Sequence, residues 1–334
     1  MTRTFALVVA ASAALLLPAA AAAQDPAPIP TPTPTPTPVP PPAPPKPQLA
    51  LSVDKVLVAG DDAFVLQGDA FKVRGTMTPA VAAPRQKVRL HLFRDGEPLR
   101  KVRTTVHRDG TFAARIKGGR PGRISVRVFH ERSAELAAKR GPKVSVSVLR
   151  PALSTGASGP LVRLLQKGLH KLRYAVPRND RYDDATGRAV MAYRKVNGMS
   201  RRFDADERVI RRVLAGKGAF KVRHPDAGHH VEADISRQVL ALVDGGRVVA
   251  TYHTSTGAPA TPTVIGTFRV YRQDPGTNAI GMVHSSYFIR GYAIHGYVSV
   301  PAFNASHGCL RVPIPDALRI FNWINMGDKV IVYP

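Results

Sequence analysis

The chain reads Ser306-His307-Gly308-Cys309-Leu310-Arg311 near its C-terminal end. Cys309 is the only cysteine in 334 residues, so it has no disulfide partner within the chain. A leftover cysteine of this kind indicates either an intermolecular bridge or a free reactive thiol. Gly308 permits a tight turn and a close approach of substrate, and histidines lie nearby, as thiolate acyl transfer requires. These polar neighbours favour a reactive thiol over a buried structural cysteine.

The first 23 residues have the composition of a secretory signal peptide. Arg3 precedes an apolar run from Phe5 to Ala22, and small residues lead to a predicted cleavage after Ala23. If it stays uncleaved, the run is just long enough to act as one membrane anchor. We therefore predict a secreted protein of the cell wall or another extracytoplasmic space, with membrane contact only through an uncleaved signal.

Residues 24–47 form a linker rich in proline and threonine, with alternating Pro and Thr over residues 30–38. Proline fixes the backbone and removes donors, so this composition predicts an extended polyproline stalk. At about 3.1 Å per residue such a stalk spans roughly 70 Å.

Positive charge is concentrated in the middle of the chain. The formal net charge is +25, of which residues 48–150 carry +12 (21 Lys and Arg against 9 Asp and Glu). Residues 151–219 carry +9 (15 against 6) and residues 220–334 only +3 (10 against 7). Outside the cell the available polyanions are those of the wall and membrane surface, so anionic wall polymers are candidate partners and nucleic acid is not predicted. A soluble cationic surface without a specific ligand is the simpler interpretation.

Residues 48–150 predict a β-sandwich. Segments 71–75, 87–93, 112–116, 124–129 and 144–148 alternate apolar with polar residues, which is the pattern of half-buried antiparallel strands. Asp95-Gly96 and Asp109-Gly110 supply turn signals between them. Short, evenly spaced strands of this kind are typical of an immunoglobulin-like domain, here without a Cys-Trp-Cys core. A spacer or a binding module is the expected role.

Residues 151–219 change to helical periodicity. Val162, Leu165, Leu169 and Leu172 fall on one helix face, Asp184 or Thr186 is placed to cap a second helix, and Asp206 a third. The segment resembles the peptidoglycan-binding domain of wall hydrolases, which implies a small three-helix bundle that binds wall material. Matches to the start of that family's pattern are Gly156, Gly159, Val162, Leu165 and Gln166. A three-helix spacer is the alternative.

Residues 220–334 predict a mainly β domain with one helix. Residues 238–244 and 247–252 form a hairpin across Gly245-Gly246, and further strands are expected at 267–271, 292–295 and 329–333. Pro315 opens a helix that ends before Gly327. The predicted fold class is therefore multidomain and mainly β: a sandwich, a three-helix bundle and a C-terminal mainly β domain.

Four motifs of this last segment resemble the L,D-transpeptidase catalytic domain, the YkuD-like family, in the order of that family. They are Ser255-Thr256-Gly257, Thr261-Pro262-Thr263 with Gly266-Thr267-Phe268, Ala293-Ile294-His295-Gly296, and Ser306-His307-Gly308-Cys309-Leu310-Arg311. Two departures are a short connection of nine residues between Gly296 and Ser306, and Arg311 where some members have Asn. The resemblance implies catalytic residues Cys309 and His295, with the Gly296 carbonyl orienting the imidazole.

The residue chemistry is consistent with these roles. A thiol needs a base to become a nucleophile, and the pKa of a histidine near neutrality suits His295 to that task. His307 is expected to line or orient the site, or to be the base instead. The backbone around Gly308 is predicted to stabilise an oxyanion, and Ser306 to bond to the loop backbone. Arg311 holds a substrate carboxylate or makes a structural ion pair.

Tyr287 and Phe288 are predicted to lie on a loop over the cleft, with core packing as the alternative. His224, His229 and His230 with Asp226 fit no tetrahedral metal pattern. No metal and no cofactor is therefore predicted.

By resemblance, the substrates are peptidoglycan stem peptides: a donor tetrapeptide that loses D-Ala and an acceptor amine that joins to make a 3→3 cross-link. Carbapenem β-lactams are then expected to acylate the same cysteine. Two alternatives remain open at this point. One is an L,D-carboxypeptidase or thiol hydrolase acting on the same stems, and the other is a catalytically silent wall-binding protein.

Overall fold

The computed structural model describes residues 42–80 and 86–334. The predicted signal peptide and residues 24–41 of the linker lie outside the described residues. Within the described ranges, no helix is long and apolar enough to cross a membrane.

The first domain is a sandwich of two sheets. A three-stranded sheet has the order β1-β4-β7, and a six-stranded sheet has the order β2-β3-β9-β8-β5-β6. The strand bounds are β1 Gln48–Asp54, β2 Leu57–Ala59, β3 Asp62–Leu66, β4 Ala70–Thr78, β5 Lys87–Arg94, β6 Glu97–Thr105, β7 Thr111–Lys117, β8 Gly122–His130 and β9 Lys139–Leu149.

Apolar and polar residues alternate along each strand, and the apolar side chains form the core of this sandwich. In β5, Val88, Leu90 and Leu92 are buried in the space between the sheets, while Lys87 and Arg89 point outward. The strand order, with β4 beside β7 in one sheet and β9-β8-β5 in the other, is that of an immunoglobulin-like domain. All five predicted strands are present, and the strands that the pattern did not predict are β1, β2, β3 and β6.

Three helices follow: α1 Pro160–Lys171, α2 Asp184–Val196 and α3 Glu207–Leu214. The prediction for the second cap was wrong by one residue, because Asp183 accepts the Thr186 N–H at 2.8 Å. Asp206 caps α3 as predicted, accepting from Val209 N at 3.0 Å. Buried Arg194 reinforces this cap, since its guanidinium also donates to Asp206 at 2.9 Å.

The C-terminal domain places two sheets around one core. A five-stranded sheet has the order β12-β11-β10-β18-β13, and a four-stranded sheet has the order β14-β15-β16-β17. The helix α4 packs on the second sheet, and its Ala317 and Ile320 join the core shared by both sheets. The bounds are β10 His230–Asp234, β11 Val239–Asp244, β12 Arg247–His253, β13 Gly266–Arg269, β14 Arg272–Thr277, β15 Val283–Ile289, β16 Tyr292–Tyr297, β17 Leu310–Pro313, α4 Ile314–Trp323 and β18 Lys329–Tyr333, after a short 3₁₀ turn at Pro225–Ala227.

The predicted Gly-Gly hairpin is confirmed, with both Gly245 and Gly246 at positive φ (53° and 73°) between β11 and β12. That conformation matches a two-residue turn to the twist of the strands. The hairpin makes β12 the edge of the five-stranded sheet.

The helical domain covers that edge and also contacts the sandwich. Thr251 of β12 donates its N–H to Arg173 O at 2.8 Å and accepts from Ala175 N at 3.1 Å. On the other side, Arg211 of α3 binds both carboxylate oxygens of Asp69, at 2.8 and 2.7 Å. The three domains are therefore joined by directed polar contacts as well as by chain connections.

Replacing Leu165 with alanine tests the helical core. Leu165 is fully buried among the three helices, so Leu165→Ala is expected to lower the free energy of unfolding by about 2–5 kcal/mol. Urea denaturation followed by circular dichroism measures the change. Lys167→Ala, exposed on the same helix, is the control and should stay within about 0.5 kcal/mol of the parent.

Candidate active site

The parallel pair β16–β17 brings the two motifs that bear His295 and Cys309 together. In its register Ile294 lies opposite Leu310, and His295 lies opposite Arg311. Ile294 and Leu310 face the core. Because side chains alternate along a strand, His295 and Arg311 share the other face, and so does Cys309, one residue before Leu310.

Gly296 lets the helix α4 approach β16 closely beneath this face. A Cβ at Gly296 would lie 2.7 Å from the Cβ of Ala317 and 3.2 Å from the Cα of Ile314. A glycine is required here by steric contact rather than by its φ. Its carbonyl oxygen accepts a hydrogen bond from Nδ1 of His295 at 2.9 Å. Since a carbonyl only accepts, Nδ1 carries the proton and Nε2 is left with a free lone pair.

The pKa of His295 is lowered to about 4, chiefly by burial and also by the positive charge of Arg311, while the hydrogen bond to the Gly296 carbonyl opposes this shift. The imidazole is therefore neutral at pH 7, in the form that accepts a proton. Burial also raises the pKa of the Cys309 thiol, against a backbone hydrogen bond from Ala293 and the charge of Arg311. The resting pair is a thiol beside a neutral imidazole.

The turn that precedes Cys309 is held by Ser306. Its Oγ donates to the Cys309 carbonyl at 2.6 Å and accepts from Gly308 N at 3.1 Å. Gly308 has φ +111°, and a Cβ there would lie 2.5 Å from the Tyr292 ring, so only glycine is accommodated. Because the Gly308 N–H is already engaged, the N–H of Cys309 becomes the candidate donor for an oxyanion.

Arg311 lies next to both reactive groups and is held by neutral partners. Its guanidinium carbon is 4.2 Å above the Tyr297 ring, and Nη1 donates to Ala305 O at 3.2 Å. Among the residues that the structure describes, no carboxylate is within ion-pair distance of Arg311, so the structural ion pair considered from the sequence was wrong. The charge of Arg311 is available to an anionic ligand.

Tyr287 and Phe288 do not lie on a loop, which corrects the prediction from sequence. Both belong to β15 and are buried, Phe288 in the main core and Tyr287 in a small cluster with Ala293 and Cys309. The sequence Ser285-Ser286 suggested a loop, but these serines are buried as well. Cys309 packs against this cluster, and Arg272 lies over the Tyr287 ring at 3.9 Å.

His307 is exposed, although it lies two residues before Cys309. His229 and His230 have different partners. Nδ1 of His229 is hydrogen-bonded to Asp328 at 2.9 Å, and Nδ1 of buried His230 is hydrogen-bonded to Gly228 O at 2.8 Å. Over residues 42–80 and 86–334, no group of three metal-binding side chains is present.

Comparison with known proteins agrees with this geometry. The YkuD family, the L,D-transpeptidase catalytic domain, matches residues 228–332. The crystal structure of an L,D-transpeptidase from Xylanimonas cellulosilytica is 31% identical, with a TM-score of 0.51 over 55% of this chain and 98% of its own. The chain belongs to the L,D-transpeptidase family.

Two further solved L,D-transpeptidases are more distant. One from Stackebrandtia nassauensis is 19% identical, with a TM-score of 0.36 over 55% of this chain and 95% of its own. The catalytic domain from E. faecium, acylated by ertapenem, is 24% identical, with a TM-score of 0.28 over 32% of this chain and 97% of its own. Among curated proteins there is no match.

A buried lysine that the sequence gave no reason to select connects the helical domain of this L,D-transpeptidase to its active-site loop. Lys195 of α2 donates to Gln238 O at 3.1 Å, to Thr254 O at 2.8 Å and to Nδ1 of His253 at 2.7 Å. His253 in turn donates from Nε2 to Val300 O at 2.9 Å. Residues 298–305 connect His295 to the Ser306 turn, so this chain of bonds reaches the catalytic strands.

The network continues from Thr254 into the strand that follows Cys309. Thr254 Oγ1 donates to Arg311 O at 2.6 Å, and Ser255 exchanges two backbone bonds of 3.0 Å with Arg311. Burial lowers the pKa of Lys195, while the three acceptors around its Nζ match the three N–H donors of the ammonium form. Burial and the charge of Lys195 lower the pKa of His253 to about 3. His253 is therefore neutral and is an acceptor for Lys195 at neutral pH.

The pH dependence of Cys309 acylation follows from the lowered pKa of His295. The imidazole accepts a proton only when it is neutral. The acylation rate should therefore fall at acid pH, and the midpoint of this acid limb should lie near pH 4 instead of near pH 6.5. The rate of Cys309 alkylation by iodoacetamide, measured from pH 3 to 8, gives the limb. His295→Gln should abolish it, whereas His307→Gln should leave it in place; loss of the limb in His307→Gln alone would make His307 the base.

Lys195→Met tests the connection from the helical domain. Removal of the donor leaves Thr254 O and Nδ1 of His253 unpaired, while Gln238 O keeps the Thr254 N–H at 3.2 Å. The displaced loop is expected to slow Cys309 acylation by about 10–100-fold, since small misplacements of reacting groups have effects of that size. The maximal acylation rate and the affinity for the reagent are measured separately. A lower maximal rate indicates a loss of positioning, and a weaker affinity indicates a loss of binding. Lys167→Met is the exposed control. A lower unfolding midpoint with an unchanged acylation rate would limit Lys195 to a structural role.

Proposed function

We propose that the chain is a peptidoglycan L,D-transpeptidase that forms 3→3 cross-links by cysteine acyl transfer. The observation that supports this most directly is the placement of Cys309, His295 and Arg311 on one face of β16–β17, with Arg311 opposite His295. Membership of the L,D-transpeptidase family supplies the substrate class. Cys309 is assigned as nucleophile, His295 as proton acceptor and donor, and Gly296 as the orienting carbonyl.

In the first step the thiol proton passes to Nε2 of His295, and the thiolate attacks a donor stem. The carbonyl attacked joins the L-centre of the third residue, expected to be diaminopimelate, to the terminal D-Ala. The N–H of Cys309 stabilises the oxyanion, since the Gly308 N–H is engaged by Ser306. Collapse breaks the peptide bond, and the D-Ala amine leaves with the proton held by His295.

In the second step an amine of a neighbouring stem attacks the thioester. Neutral His295 removes the proton of the attacking amine, and the cysteine sulfur leaves and is protonated again. A new amide bond joins two third-position residues. Water in place of the amine would give a carboxypeptidase with the same acyl-enzyme.

Arg311 is assigned to a substrate carboxylate. Its guanidinium stacks on Tyr297 and uses one donor on Ala305, which fixes the plane of the fork and leaves other donors for an anionic group. Both the donor stem and the D-Ala leaving group carry carboxylates. His307 and Tyr287 are assigned to the walls of the site, His307 from the exposed loop and Tyr287 from β15.

We also place this activity outside the cytoplasm. The substrate is wall material, and the composition of residues 1–23 is that of a signal peptide. Residues 151–219 are assigned as a wall-binding module, and residues 48–150 as the domain that spaces it from the linker.

Intact-mass spectrometry of the purified protein tests the assignment, first with a carbapenem and then with a disaccharide tetrapeptide. The expected results are a covalent adduct on Cys309 and a dimer of stems that lacks one D-Ala. Cys309→Ala should give neither, and His295→Gln should slow adduct formation by about 10²–10⁴-fold.

If the reaction gives a tripeptide product and no dimer of stems, the activity is that of a carboxypeptidase instead of a transpeptidase. Cross-linking retained by Cys309→Ala, or no adduct on an accessible Cys309, would exclude cysteine acyl transfer by this site.

A further inference from the structure

The outer face of the six-stranded sheet carries positive charge in far greater density than the active site. Strands β5, β6, β8 and β9 together contain one acidic residue, Glu97, and eleven lysines and arginines, of which Arg94 is buried and donates to Gly118 O at 2.8 Å. The side chains that alternate outward from these strands lie on one surface, because period-2 alternation buries the intervening residues in the sandwich core.

Register aligns these side chains into a row that crosses four strands. His91 lies opposite Lys101 on one side and opposite Arg127 on the other, and Arg127 lies opposite Lys143. With neighbouring strands about 4.8 Å apart, the row extends about 14 Å perpendicular to the strands.

A second row runs beside the first. Arg89 lies opposite Arg103 and opposite Phe129, and Phe129 lies opposite Arg140. Two residues along a strand separate the rows by about 7 Å. The Phe129 ring of the second row lies 4.1 Å from the His91 ring of the first row, tilted by 31°, and the Arg140 guanidinium lies 6.0 Å from the Phe129 ring centre. We call these two rows the cationic face.

The fold does not require this arrangement. Like charges directly opposite each other on adjacent strands are destabilising. The positions on one side of the rows are neutral, where Ser125 and Ser145 form a cross-strand hydrogen bond of 3.0 Å. Among the residues that the structure describes, the one ion pair at the cationic face joins Glu131 to Arg89, at 2.7 Å. The neighbouring cations also disfavour a positive charge on His91, whose pKa is lowered by burial and then by Lys101 and Arg89.

We propose that the cationic face binds a linear polyanion, laid across the strands between the two rows. Such a polymer carries an anionic group every few ångströms, so that successive groups meet cations of both rows. Lysine and arginine supply charge-assisted bonds to phosphate or carboxylate, and release of counterions from the polymer adds to the affinity. The inference concerns a surface separate from the acyl-transfer site and is independent of the proposed reaction.

A lipid surface fits this face less well. Proteins that bind a bilayer insert apolar side chains beside their cations, whereas Phe129 is half-buried and stacked within the sheet surface. The cations lie in straight rows, which is the arrangement that a chain of anions would contact.

Binding to inorganic polyphosphate and to poly-L-glutamate tests the proposal and distinguishes phosphate from carboxylate as the anionic group. Fluorescence anisotropy with each labelled polymer, at several salt concentrations, gives the dissociation constant and its salt dependence. The variant Lys101→Gln/Arg127→Gln/Lys143→Gln should raise the dissociation constant at least tenfold. It should also reduce the salt slope by about two, as expected for three lost contacts.

The matched control is Lys167→Gln/Lys171→Gln/Lys217→Gln, which removes the same charge from exposed positions of the helical domain and should change binding less than twofold. Lys101→Gln/Lys143→Gln, limited to exposed ends of the row, provides a second variant if the triple variant unfolds. Carbapenem acylation of Cys309 should be unchanged in all of them, which separates this result from the proposed reaction.

If the triple variant of the cationic face and its control lose binding equally, net charge alone explains the binding and the proposal is wrong. The absence of binding to both polymers, or binding to phosphatidylglycerol vesicles without binding to either polymer, would also overturn it.

Discussion

The parallel pairing of β16 with β17 is the constraint on which the active site depends. It places the strand of His295 beside the strand that follows Cys309, in a register that puts both side chains on the same face. Parallel neighbours need a crossover connection, commonly a helix of a dozen or more residues. Here residues 298–309 make that crossover without a helix, so the segment needs support from elsewhere in the chain.

That support comes from the segment after β12 and from the helical domain. Ser255 Oγ donates to Phe303 O at 2.6 Å, and Thr256 O accepts from the backbone N–H groups of Ala305 and Ser306 at 2.9 Å. Arg201 donates to Ala302 O at 2.6 Å. The motif Ser255-Thr256-Gly257 is thus a backbone scaffold for the cysteine turn. Gly257 is needed because a Cβ there would lie 2.2 Å from Thr261 O.

Charge is divided between the domains in a way that suits their roles. His295 is buried and Cys309 is half-buried, and desolvation favours the neutral form of both, since it lowers the pKa of His295 and raises that of Cys309. Arg311 is the one cation beside them, and most of the positive charge of the chain lies on the sandwich and the helices, where solvent screens it.

The sequence by itself determined the chemical groups and the elements with a strong periodic pattern. Alternation is strong in β5 and β8, and helical periodicity is strong in α1, because each has one buried face. A lone cysteine after a glycine, with His295-Gly296 upstream, identified the candidate nucleophile and base before any fold was known. The Asp206 cap and the Gly-Gly hairpin were also predictable, since short-range backbone bonds determine them.

Only the tertiary structure decided how distant segments meet. Strand β15 was not predicted because its serines are buried by neighbouring strands, which no local pattern reveals, and Tyr287 therefore lies on a strand instead of a loop. Lys195 lies 58 residues from His253 in the chain, and a buried lysine on an otherwise apolar helix face has no sequence pattern of its own. The rows of the cationic face depend in the same way on register, because hydrogen bonds between strands, and not spacing along the chain, align Lys101, His91, Arg127 and Lys143.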